Sequence, residues 1–235
     1  MTSSTTAIDR LDWADLGEQL DREGYALLPR LLLPEHARQA GREAGMSNAL
    51  RRVTLAVDDA GRGELFYFGG DLPAPWMAWR IAFYRHLAVI ANRWSESLDA
   101  DRRYPAELDA FVRLNRQAGQ TQPQSHLNRL LDGDYLALHQ RADGEQVFPF
   151  QVVALLTEPG RDFHGGEFVM TEQRPRMQSR PMVLPLTLGD AAIISTAQRP
   201  VKGSGGYYRV NLKHAISRVR GGERIGVELS FHDAC

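Results

Sequence analysis

Cysteine is almost absent from this 235-residue chain: the single one, Cys235, is the last residue. No internal disulfide can form, so the fold must rest on its core, and a reducing compartment is expected. Long apolar runs are missing too, and none approaches the ~20 residues a bilayer-spanning helix needs. The opening stretch MTSSTTAIDRLDWADLGEQL has no basic segment followed by an apolar one, which predicts no secretory signal. Together these absences predict a soluble, cytoplasmic protein with no membrane partner. An excess of either charge is also lacking: 28 Lys and Arg against 29 Asp and Glu leave a net charge of −1. No basic run is long enough to track phosphates, so nucleic acid is not an expected partner. No phosphate-cradling glycine motif of the Walker or dinucleotide type occurs, and Gly203 to Gly206 reads as a loop between strands.

What is present is ordinary globular composition, with 43% hydrophobic and 24% charged residues. The length suits one domain over residues 1–235. Within it, residues 1–127 read as mainly helical with the first strands. Trp13, Leu16 and Leu20 recur at helical spacing, and Gly24 ends the run. Tyr25 to Leu28 reads as a strand, and Pro34 opens a second helix. Two strands are expected at Val53 to Val57 and Glu64 to Phe68, then helices over Trp76 to Trp94 and Pro105 to Arg113. The polar stretch from Asn115 to Ser125 reads as a loop, with His126 placed in it.

From residue 128 onward the character changes. Short apolar segments alternate with turn signals such as Asp132-Gly133, Asp143-Gly144, Pro159-Gly160 and Gly165-Gly166. That is the pattern of a sandwich or jelly roll, and the class is α+β, with N-terminal helices buttressing a β core. Gln151 to Leu156 reads as a strand buried on both faces.

Side chains alternate faces along a strand, and this gathers the chemistry. His139 and Arg141 point the same way in DYLALHQR; His214 shares a face with Val210, Leu212 and Ile216 in YRVNLKHAIS. In RIGVELSF, Arg224, Gly226, Glu228 and Ser230 make one face and Ile225, Val227, Leu229 and Phe231 the other. Two histidines and an arginine on inward-looking strands are a candidate metal and anion site. The remaining histidines carry less: His36 and His86 fall on helices, and His232 follows the last strand.

The run GDYLALHQRADGEQVFPFQVVALLTEPGRDFHGGEFVMTEQRPRMQSRP, followed by GDAAII, RPVKG, YYRVNLKHAISRVRGGER and FHDA, resembles the iron(II)- and 2-oxoglutarate-dependent oxygenase superfamily. It is similar in particular to small bacterial proteins of prolyl-hydroxylase type, over roughly residues 128–235. The resemblance implies a double-stranded β-helix and a two-histidine, one-carboxylate iron site. His139 and His214 would hold Fe(II), and Arg224 would grip the far carboxylate of 2-oxoglutarate through its planar fork. Arg141 and Gln151 would contact the substrate or an anion. With O2 as cosubstrate, the implied activity is oxidation or hydroxylation of a small molecule or an amino-acid side chain.

The chain departs from that pattern at one decisive place. The family's His-x-Asp reads His139-Gln140-Arg141 here, and a guanidinium has no lone pair to give a metal. Leu130 stands where a tyrosine is common, and Gly226 where a hydroxyl is common. Several solutions are open at this level. Asp143, Glu145 or Glu167 could supply the missing carboxylate; His164 could complete a three-histidine site; or an anion held by Arg141 could fill the position. A cupin-like metal enzyme that uses no oxo acid would also need His164 or a carboxylate. In the alternative reading the iron site is lost, Arg141 pairs with Glu228, and the jelly roll persists as a binding protein.

Overall fold

The computed structural model describes residues 2–44, 51–55 and 61–235. The first half supplies helices α1 (Thr2–Asp9), α2 (Trp13–Glu23), α3 (Pro34–Ala44), α4 (Trp76–Ser97) and α5 (Leu108–Gln117) and strands β1 (Tyr25–Leu28), β2 (Arg51–Leu55) and β3 (Gly61–Tyr67). The second half is all strand: β4 (His126–Leu131), β5 (Tyr135–His139), β6 (Phe150–Leu155), β7 (Phe163–Gly165), β8 (Phe168–Gln173), β9 (Arg180–Leu184), β10 (Ala191–Ser195), β11 (Gln198–Gly203), β12 (Gly206–Ile216) and β13 (Val219–Ser230).

The strands form a nearly closed antiparallel barrel of the jelly-roll kind, in the order β1-β10-β6-β13-β4-β3-β5-β12-β8-β9. β2 pairs with β3, β7 with β13 and β11 with β12. Two apolar clusters explain why the chain folds this way. One lies inside the barrel, where Leu130, Val153, Phe168, Met170, Leu212 and Ile216 meet. The other joins the outer face of the larger sheet to the helices, through Trp79, Phe83, Phe148, Val152, Leu229 and Phe231. β6 contributes to both, which is why it is apolar apart from Gln151 and every residue in it is buried. β13 packs Val227 and Leu229 into the outer cluster, with Phe231 just beyond its end, leaving the opposite face for Arg224 and Glu228.

The expected helices and strands form, with shifted ends. The strand expected at Val53 to Val57 runs from Arg51 to Leu55, and residue 57 lies outside the described residues. The helix expected from Pro105 begins at Leu108, because the Pro105 carbonyl is held by the Tyr84 hydroxyl at 3.0 Å. It continues past Arg113 because Asn115 is buried, and its Oδ1 accepts from the Asp233 amide at 2.8 Å. His126 is not in a loop. It opens β4, a central strand paired to β3 and β13, and its ring is wholly buried.

Candidate metal centre and cosubstrate cavity

β5 and β12 pair antiparallel with His139 directly opposite His214, and their rings lie 4.3 Å apart. Strand alternation behaves as expected, since Gln140 turns the other way and donates to the carbonyls of Ala197 and Leu212. The third member comes from across the barrel. Glu228 of β13 joins His139 and His214, with one ligand atom of each lying within 4.8 Å of the others.

The local hydrogen bonds prepare these groups for a cation. The Nδ1 of His139 donates to the Ala137 carbonyl at 2.8 Å, so the lone pair is on Nε2, which is buried without a partner. A backbone carbonyl on the far nitrogen is the usual way a ligating histidine is held in its tautomer. The Nε2 of His214 meets the Gln151 amide at 3.2 Å, while its Nδ1 is buried and unpartnered. Orphaned polar atoms at such depth are costly unless something binds them. Two imidazoles and a carboxylate that converge within 4.8 Å are the donor set of a divalent transition metal such as Fe(II).

Electrostatics agree with that donor set. Burial pushes His214 down to about 3 and His126 to about 4, and lowers His139 as well, so all three are neutral at pH 7. Burial alone would raise the Glu228 carboxyl, but His126, Arg141 and the paired histidines hold it at about 2. Arg141 donates to Tyr67 Oη at 3.4 Å and to His126 Nε2 at 3.3 Å, and its Nε is buried without a partner.

Four residues considered from sequence as the third ligand do not join this group. Asp143 and Glu145 stay on the exposed loop after β5. Glu167 is exposed and accepts from the Ser217 hydroxyl, and His164 is exposed on β7. A loop carboxylate would have to leave water, whereas Glu228 is already placed by its strand. Nor does Glu228 pair directly with Arg224 or Arg141 among the described ion pairs. The Asn128 amide stands between Glu228 and Arg224, accepting from Arg224 Nη1 at 2.9 Å and donating to Glu228 Oε1 at 3.2 Å.

Arg224 itself is buried, and its Nε donates to the Gly166 carbonyl at 2.8 Å. Burial lowers its pKa to about 10, which still leaves it charged at neutral pH. Gly166 has a left-handed φ of 65°, and a Cβ there would lie 2.9 Å from Arg224 Cδ, so glycine is required for this approach. A cavity of about 250 Å³ opens beside Arg224, lined also by Phe163, Gly166, Phe168 and Leu184. Phe168 stacks on the His214 ring at 5.9 Å, so cavity and metal group share a wall. Leu130, opposite Arg224 in the ladder, is packed in the barrel core and offers no hydroxyl.

Two residues of the site escaped sequence reasoning. His126 follows a polar stretch with the composition of a loop; only its spacing two residues before Asn128 places the two on one face. Glu228 shares the Arg224 face in the sequence pattern, where an ion-pair partner is the simpler expectation than a ligand.

A jelly roll with two histidines and a carboxylate converging inside it, and a buried arginine beside an adjoining cavity, has the arrangement of the iron/2-oxoglutarate oxygenase class. The family described as "Oxygenase, catalysing oxidative methylation of damaged DNA" matches residues 63–234, and the chain belongs to it. Mycobacterium tuberculosis has two curated relatives, the uncharacterized proteins Rv2227 and MT2286, each 40% identical over 153 residues. That match covers 65% of this chain and 66% of each relative, so the chain spans just under two thirds of their length.

Solved structures share the fold. A Pseudomonas putida prolyl-4-hydroxylase has a TM-score of 0.54 at 12% identity, covering 92% of this chain and 96% of that one. An oxidoreductase of the 2OG-Fe(II) oxygenase family from Burkholderia pseudomallei scores 0.52 at 20% identity, covering 96% and 94%. A Trichoplax adhaerens prolyl hydroxylase, solved with a hypoxia inducible factor peptide, scores 0.54 at 11% identity, covering 99% and 91%. The expectation that nucleic acid is no partner finds no support, since the family description names DNA. Among the described residues no helix is long and apolar enough to cross a membrane.

Proposed function

We propose that this protein is an Fe(II)- and 2-oxoglutarate-dependent oxygenase whose metal is held by His139, His214 and Glu228. The observation that carries this reading is the convergence of those three side chains, with a ring nitrogen of each histidine left buried and unpartnered. The carboxylate comes from β13 rather than from the position two residues after His139, where Arg141 stands instead. Iron with O2 and 2-oxoglutarate supplies oxidation of a C–H bond, one oxygen atom entering the substrate and the other the succinate formed with CO2.

The chain's own groups divide the remaining work. Arg224 takes the far carboxylate of 2-oxoglutarate, using the Nη2 that makes no hydrogen bond among the described residues. Gln151 orients the His214 ring. Arg141, held by His126 and Tyr67, meets an anionic group of the substrate or a bound anion, which offsets its repulsion of the metal. The apolar walls from Phe163, Phe168 and Leu184 exclude water from the cosubstrate.

For the substrate, the family description makes an oligonucleotide carrying damaged bases the first to try, ahead of the small molecule or amino-acid side chain expected from the sequence. The test is succinate formation from 2-oxoglutarate by the Fe(II)-loaded protein, with and without an oligonucleotide carrying damaged bases. Turnover that rises with the oligonucleotide and vanishes in His214→Ala supports the reading with DNA as substrate. Oligonucleotide-independent turnover that vanishes in His214→Ala returns the substrate to the small-molecule class. Absence of succinate together with absence of metal binding leaves the jelly roll as a binding protein.

A further inference from the structure

The metal carboxylate and the cosubstrate arginine are on the same strand face, four residues apart on β13, with Gly226 between them. In the β4–β13 ladder Asn128 lies directly opposite Gly226. Its amide reaches into the space left by the missing side chain, where a Cβ would come within 3.0 Å of Asn128 Oδ1 and 3.1 Å of Arg224 Nη1. One amide therefore spans both functional groups, its oxygen accepting from Arg224 at 2.9 Å and its nitrogen donating to Glu228 at 3.2 Å. Asn128 is buried at 2% exposure, so no water competes for either contact.

We propose that Asn128 is a positioning residue that ties metal binding to 2-oxoglutarate binding. This rests on the reading of Glu228 as metal ligand and Arg224 as cosubstrate anchor. The polarity of the amide makes the relay specific. Its donor end fixes one oxygen of Glu228 and leaves Oε2 toward the histidines. Its acceptor end fixes Nη1 of Arg224 and leaves Nη2 toward the cavity. Without the amide, the two opposite charges on β13 have nothing between them, and each is free to turn to the other. Arg224 and Glu228 would then close an internal ion pair and withdraw from metal and oxo acid together. Asn128 thus acts through its neighbours, and Gly226 is the space it needs.

The experiment is calorimetric titration of the full chain with Mn(II), then of the Mn(II)-loaded protein with 2-oxoglutarate, for the natural sequence, Asn128→Leu and Asn128→Ser. Thermal melts select the variants that fold; serine is too short to span both groups and leaves the packing least disturbed. Both affinities should fall by about tenfold, the lower end of what loss of a supporting contact costs a metal site. A fall in only one affinity, or in neither, overturns the relay while leaving the oxygenase reading intact. If the natural sequence binds no Mn(II), the metal assignment fails and the relay falls with it.

Discussion

Two charged clusters are buried in the same barrel, and they are built on opposite plans. Near one end, Arg199 of β11 and Glu172 of β8 are both almost inaccessible, at 2% and 1% exposure. Their contacts are complete: Arg199 gives Nε and Nη2 to Glu172 Oε2 and Nη1 to the Asp21 carbonyl at 2.6 Å, while Arg174 gives Nε to Glu172 Oε1 at 2.8 Å. Around Glu228 the opposite holds. His139 Nε2, His214 Nδ1 and Arg141 Nε are buried with no partner, and these are the described side-chain atoms left in that state. The closed cluster ties α2 to the barrel, whereas the open one leaves polar atoms that a ligand could satisfy. The comparison teaches that burial of charge alone marks neither role, and that the state of satisfaction separates them.

The comparison can be broken most forcefully at the closed end. Arg199→Ala leaves Glu172 buried with one half-buried partner, Arg174, and should cost about 3–5 kcal/mol in denaturant melts. At the open end the largest effect comes from adding the ligand. Mn(II) at about a hundred times its Kd should raise stability by about 2.7 kcal/mol, and the His139→Ala/His214→Ala double variant should show no such gain. Next comes Arg141→Leu, which removes a cation from beside the metal group. It should tighten Mn(II) on the order of tenfold when no anion is supplied, as measured by the same titration.

The smallest effect is the response to acid. His126 and His232 are held neutral by burial, both at about 4, below their unfolded value. The unfolded chain therefore binds more protons than the native one between roughly pH 6.5 and 4. Stability should decline as pH falls through that window, and metal should oppose the decline in the natural sequence alone. A flat profile of melting temperature against pH would contradict the neutral, buried assignment.

Much of the fold was legible because its signals are local. Alternation in YRVNLKHAIS put His214 on the interior face, and alternation in RIGVELSF put Arg224 and Glu228 on one face opposite Val227 and Leu229; the structure has both so. Gly-rich turns marked the strands, and Trp79, Phe83 and Ile90 marked the longest helix. What sequence could not supply was which strands meet across the barrel. The third ligand was sought near His139 in sequence, at Asp143, Glu145, His164 and Glu167, where chain proximity suggested it. Glu228 is distant along the chain but near in space, because β13 lies between β6 and β4 and faces β5 and β12. The contribution of His126 was hidden for the same reason: a polar stretch precedes it, and only its pairing with Glu228 in the ladder buries it.

The central claim is that Glu228 completes a metal site with His139 and His214. It is tested most directly by anaerobic titration with Fe(II) in the presence of 2-oxoglutarate, following the weak visible charge-transfer band of the bound oxo acid. The account predicts a band at one iron per chain in the natural sequence, lost in His214→Ala and in Glu228→Leu. A band that survives Glu228→Leu unchanged, or that never forms in the natural sequence, would contradict it.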